Sequence, residues 1–172
     1  MNVAKLAGIV MALAWSLNCN TQIQAETKKL IYEDARQGTS CQVYLLDKKF
    51  VNKVTNGGET RKFYLVDVEI DNSYSGVSRQ TNLIQCSTSE PFVAFKDDYT
   101  PGMAILHFIN PGGDISGYNK GSHWEYWVVC HDLWEPWKYN LQSKARKLGY
   151  STQLLSEQIE VPYGLMQYLR RP

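Results

Sequence analysis

Apolar and polar residues alternate with a period of two over much of this chain. The clearest run is RKFYLVDVEI, residues 61–70, in which Tyr64, Val66, Val68 and Ile70 share one face while Asp67 and Glu69 share the other. That pattern predicts a strand with one wetted face. Before it, Gln42 to Leu46 is β-prone, and Phe50, Val51 and Val54 extend the stretch. Between the two, Asn56-Gly57-Gly58 supplies residues that tolerate positive φ in a tight hairpin turn. DNSYSG, residues 71–76, is a loop by composition. Further strands are expected at Asn82 to Ser87, in PFVAF at 91–95, and in MAILHFI at 103–109, an apolar run interrupted only by His107. Glu26 to Ser40 is polar apart from Leu30, Ile31 and Tyr32 and reads as an arm with at most one short strand.

The densest stretch is HWEYWVVCHDLWEPWKY, residues 123–139, which holds four of the five tryptophans, two of the three histidines and one cysteine. Read with a period of two, it puts His123, Glu125, Trp127, Val129 and His131 on one face and Trp124, Tyr126, Val128 and Cys130 on the other. Bulky apolar groups on both faces predict a strand covered on both sides. Past Trp137 the period lengthens. Leu141, Ala145 and Leu148 stand at helical spacing, Asn140 is placed as an N-cap and Gly149 as the C′ residue. Ser156 to Val161 reads as a short edge strand and Tyr163 to Arg170 as a second short helix resting Leu165 and Leu169 on the sheet. The expected fold class is therefore α+β, mostly β: a small antiparallel β-barrel or a two-layer sheet of about six strands with one or two C-terminal helices.

Residues 1–25 read as a secretory signal peptide, leaving 26–172 as a single exported β-rich domain. Lys5 is followed by an apolar run from Leu6 to Leu17, shorter than the ~20 residues a membrane span needs. Cleavage is expected after Ala25, with a competing site after Ala14 inside the apolar run. The product is thus expected to be periplasmic or secreted, without a transmembrane segment. It keeps Cys41, Cys86 and Cys130, an odd number in an oxidising compartment. Cys86 and Cys130, both in apolar strand-like contexts, are expected to form the disulfide. Cys41 is left as a small apolar group, since nothing near it in sequence would lower its pKa.

Without residues 1–25, basic and acidic side chains balance at 17 each, which argues against nucleic acid as a partner. The segment 138–172 is locally basic, with six basic and two acidic residues. His123 and His131 would lie roughly 26 Å apart in a strand, too far to share an ion. His131 with His107 and Asp132 stays open, but no HExxH or CxxC motif supports a metal site, and neither metal nor cofactor is expected. Neither a GxSxG elbow nor a phosphate loop is present, so the reading leans away from an enzyme, with a small secreted hydrolase as a minor alternative. An enzyme would gain ground if His107 or His131 stood half-buried beside a carboxylate in a cleft. The expectation is instead a binding or interaction protein using an aromatic surface of Trp124, Trp134, Glu135, Trp137 and Tyr139, with a protein partner of inhibitor or adaptor type. The alternative is a glycan or cell-wall ligand stacked on Trp134 and Trp137.

Overall fold

The computed structural model describes residues 28–36, 38–115 and 120–165. The expected signal peptide and Leu169 lie outside them, as do residues 116–119. Among the described residues seven strands form one antiparallel sheet in chain order: β1 (Lys29–Arg36), β2 (Thr39–Asn56), β3 (Glu59–Asn72), β4 (Gly76–Cys86), β5 (Phe92–Lys96), β6 (Met103–Phe108) and β7 (Gln158–Pro162). Between β6 and β7 run α1 (Lys120–His131), a 3-10 turn at Pro136–Lys138 and α2 (Leu141–Lys147). The sheet is open and α1 lies on it, so the two-layer form of the expected fold is the observed one.

The hairpin signal is realised directly. Asn56 pairs with Glu59, and Gly57 and Gly58 both take positive φ, as a two-residue turn matched to strand twist requires. Tyr64, Val66, Val68 and Ile70 of β3 face the helix-side core, while Asp67 and Glu69 face away. There Glu69 is paired with Lys28 at 2.8 Å and Arg79 at 3.0 Å. The away-facing side is wetted at one end only. Phe63, Leu83, Phe92, Ala94, Ala104, Leu106 and Val161 form a second apolar cluster at the other, against which Val51, Leu65, Phe108 and Tyr163 pack.

Two readings change at the N-terminal side. The arm is β1, an eight-residue strand paired to β2 with Ile31 fully buried. The Gln42 and Phe50 segments belong to one strand of 18 residues. β2 shifts register against β3 between Leu45 and Asp47 and between Phe50 and Asn52. Each bulge reverses which face the following residues occupy. Lys48 thereby comes opposite Val66 on the helix side, and Val51 reaches the cluster on the other side.

The largest correction concerns residues 123–131, which form α1 and not a strand. Every residue from Ser122 to Val129 is buried, so the helix has no polar face to give it an amphipathic period. The sheet covers one side, while Leu141, Ala145 and Tyr150 pack into the same core from the C-terminal segment. Asp132, in the left-handed conformation at φ 50°, ends α1, its N–H donating to Val128 O at 3.0 Å. Lys48 Nζ donates to Val129 O, placing a cation at the negative end of the helix dipole.

The expected disulfide is present: Cys86, at the end of β4, is bonded to Cys130 in the last turn of α1, with Cα atoms 5.5 Å apart. Cys130 sits in a helix, but its partner is the one expected. Cys41 is free and half-buried, and burial together with Asp34 and Asp71 pushes its thiol pKa up. Asn140 caps α2 by accepting from Ser143 N–H at 2.9 Å, and Gly149 follows at φ 86°. Residues 163–165 begin a helical turn, and the rest of the expected second helix lies outside the described residues. Among the described residues no helix is long and apolar enough to cross a membrane.

Candidate functional site

The helical reading redistributes the aromatic residues. Trp124 is 7 % exposed and belongs to the core, where Trp137 meets it edge-on at 6.0 Å between ring centres. Trp134 is partly buried. Its Nε1 donates to Asp132 Oδ1 at 2.7 Å, and Lys29 Nζ covers its ring at 3.4 Å from the centre. Glu135 takes the left-handed conformation at φ 52° and pairs with Lys138 at 2.7 Å. Trp137 and Tyr139 remain 46 % and 47 % exposed, and Lys144 lies 4.6 Å over the Tyr139 ring. Lys144 also joins Lys147 on the rim of an adjoining pocket of about 280 Å³, with Trp127, His131, Leu133 and Leu148 as its apolar and aromatic lining.

Behind this pocket runs a chain of hydroxyl groups. Tyr126 Oη donates to Ser87 O at 3.2 Å and lies 2.7 Å from Tyr150 Oη, which is itself 2.7 Å from His131 Nε2. Burial, with a smaller push from Lys48, lowers the His131 pKa to about 4, so the ring is neutral at pH 7. Burial raises Tyr150 to about 12 and Tyr126 well above its ordinary value, so neither phenol ionises there. The array is a neutral network of hydrogen-bonded polar groups.

A second pocket, of about 180 Å³, lies between the sheet and the first half of α1. Glu125 is 6 % exposed in its wall, and both carboxylate oxygens accept from Asn82 Nδ2, at 2.8 and 3.0 Å. Burial pushes this carboxyl up to about 7, with the Asn82 bond opposing the shift. Asn82 is 1 % exposed and its Oδ1 has no partner among the described residues. Val43, Val68, Ile70 and Phe95 supply apolar walls, and Gly121 lets α1 approach Tyr32. A broader depression of about 370 Å³ on the other side of the sheet is lined by Asp47, Asp67, Arg79 and Thr81, and there Asp67 already accepts from Thr81.

The histidines do not assemble as the open metal alternative required. His107 packs against His123, with ring centres 6.1 Å apart, while His131 packs on Trp127 at 4.9 Å. Burial lowers His107 and His123 to about 4. Among the described residues no group of three or more His, Cys, Asp and Glu side chains could hold a metal ion. Among the described residues His107 and His131 bond to Ser156 and Tyr150, not to a carboxylate.

No family model, curated protein or solved structure matches the chain.

Glu125 and Asn82 were not distinguished in the sequence as site residues. As a strand residue Glu125 shares a face with His123 and Trp127, whereas a helical period groups it with Gly121 and Ser122, as observed in the pocket wall. The Ser122/Glu125 spacing is the signal that a helical reading would have carried.

Proposed function

We propose that the chain is an exported, disulfide-held interaction protein whose partner is another protein, docked on the surface formed by the 3-10 turn and α2. The supporting observation is the exposed side chains of Trp137, Tyr139 and Leu148 with the Trp127/Leu133 pocket, at which Lys144 and Lys147 supply the charge. An apolar centre with a charged rim is the anatomy of a protein interface. A basic rim around a pocket of this size suits an acidic partner surface carrying one apolar anchor. The glycan alternative draws less support, because Trp124 is core and Lys29 covers Trp134, leaving no second tryptophan ring open beside Trp137. Export rests on the leader reading of residues 1–25 and fits the Cys86–Cys130 bond, which persists best in an oxidising compartment.

The test is site-specific photo-crosslinking in the producing cell with the probe at Tyr139. A probe at Tyr99, which is 95 % exposed on a distant turn, serves as control. The expected result is a discrete adduct at Tyr139 and none at Tyr99, lost in a folded Lys144→Glu/Lys147→Glu variant. Equal adducts at both positions, or an adduct indifferent to the charge reversal, would reject the surface.

A further inference from the structure

The pocket under the first half of α1 carries an inference independent of the docking surface. Its polar lining includes the Tyr32 and Ser122 hydroxyls and the Gln80 amide, yet its two buried acceptors, the Glu125 carboxylate and Asn82 Oδ1, are short of donors among the described residues. Glu125 has no lysine or arginine paired with it among the described residues, and its only hydrogen-bond partner there is the Asn82 amide. Two N–H groups cannot saturate a carboxylate, which has about four lone-pair sites. The buried Asn82 Oδ1 is a further acceptor with no partner among the described residues. A buried carboxylate and a bare carbonyl oxygen leave a cost that a donor-rich cation would offset. The walls around them are Val43, Val68, Ile70 and Phe95, which suit an alkyl chain. At about 180 Å³ the space suits a compact ligand, below the roughly 300 Å³ at which drug-sized sites begin.

We propose that this pocket binds a small primary alkylammonium compound, its N–H groups donating to Glu125 and to Asn82 Oδ1 and its stem lying against Val68, Ile70 and Phe95. An ammonium provides three donors and no acceptor, the complement of the Glu125 carboxylate and Asn82 Oδ1. A neutral alcohol provides one donor and no charge, and a quaternary ammonium provides charge without donors, so both are discriminated against.

Protonation of Glu125 competes with the ligand. The carboxyl titrates near pH 7 when empty, and the ionised form is the one that binds. Of the nearby titratable groups on the packed elements, the Tyr32 phenol of β1 is raised chiefly by burial, and the Cys41 thiol of β2 by burial and by Asp34 and Asp71, so both shifts favour the neutral form. From β3 and β5 only apolar side chains line the pocket, and from β4 the uncharged Gln80 and Asn82. Alkylammonium ions, like lysine, stay charged below about pH 10. The dissociation constant of the ligand therefore rises about tenfold for each pH unit well below 7 and levels off above it.

The experiment uses the mature protein titrated by calorimetry with n-butylammonium chloride, n-butanol and tetramethylammonium chloride at pH 8.5 and pH 5.5, with amide NMR shifts as a site readout. Binding of n-butylammonium at pH 8.5, at least tenfold weaker at pH 5.5, with shifts centred on Asn82 and Gly121 and no binding of the two analogues, is the expected result. Glu125→Gln should abolish it. Ile70→Phe, which fills the pocket and leaves the Glu125–Asn82 pair in place, should abolish it too. No binding by the natural chain at pH 8.5, equal binding of n-butanol, or retention by Glu125→Gln would overturn the proposal. If Glu125→Gln does not fold, Ile70→Phe decides: loss supports the site and retention overturns it.

Discussion

At position 121 a side chain is excluded by a neighbour on another element. A Cβ on Gly121 would stand 2.5 Å from Tyr32 Oη and 3.0 Å from its Cζ, the first of which lies inside any real contact distance. Gly121→Ala should therefore force α1 away from β1 and cost about 1–3 kcal/mol, the range for overpacking, even though alanine is the better helix former. Tyr32→Phe removes the nearest atom. Denaturant unfolding of the two single variants and the double variant checks the account, because the pair should couple, the double variant losing less than the sum. Strict additivity would mean that the two residues do not meet. The same local reasoning makes Cys41 unreactive: its thiol pKa is raised, so little thiolate forms at neutral pH.

At the scale of elements, the link between β4 and α1 decides how firmly the helix is held on the sheet. The Cys86–Cys130 bond spans 44 residues and joins the end of one to the last turn of the other. Replacing both cysteines with alanine should lower stability by roughly 3–4 kcal/mol through the loop-closure entropy of the unfolded chain. Urea unfolding of the double variant checks this, and an unchanged midpoint would show that packing and Lys48 already fix the helix. Element by element, legibility followed burial. β3 was readable because Asp67 and Glu69 put charge on one face, Asp67 exposed and Glu69 buried beneath Lys28 and Arg79, and the β2–β3 turn because Gly57 and Gly58 are needed for their φ values. α2 was readable from its Asn140 cap and its spacing. α1 was not, since residues 122–129 are buried all round and its Trp, Tyr and Val residues favour strands by propensity. The disulfide was found despite that error, because pairing two apolar-context cysteines does not depend on which element carries them. The Glu125 pocket was missed because of it, since the pocket exists only when the stretch is wound as a helix.

The protonation balance belongs to the whole molecule, because the groups that set it lie on different elements of one core. His107 and His123 are fully buried, and burial holds both near 4, below the 6.5 of an exposed histidine. Between pH 6.5 and 4 the unfolded chain binds protons at these sites that the native fold refuses, so their contribution to stability is lost as pH falls through that window. His131, near 4 and partly exposed, adds a smaller share in the same direction. Glu125 acts with the opposite sign. Its native pKa of about 7 lies above the ordinary 4.5, so between those values the native state binds the extra proton and stability falls as pH rises. From pH 6.5 to 4.5 the carboxyl therefore cancels one proton of the histidine slope. Glu125→Gln removes that cancellation. The acid-side slope of unfolding free energy should steepen by roughly 1.4 kcal/mol per pH unit, the value of one proton, while the decline from pH 4.5 towards 7 due to the carboxyl disappears. Stability of both forms measured across pH 4.5–7.5 checks this. Parallel curves would mean that Glu125 titrates alike in the folded and unfolded chain, in which case burial in the pocket wall does not hold its proton and the ammonium site would lose its pH dependence while keeping its geometry.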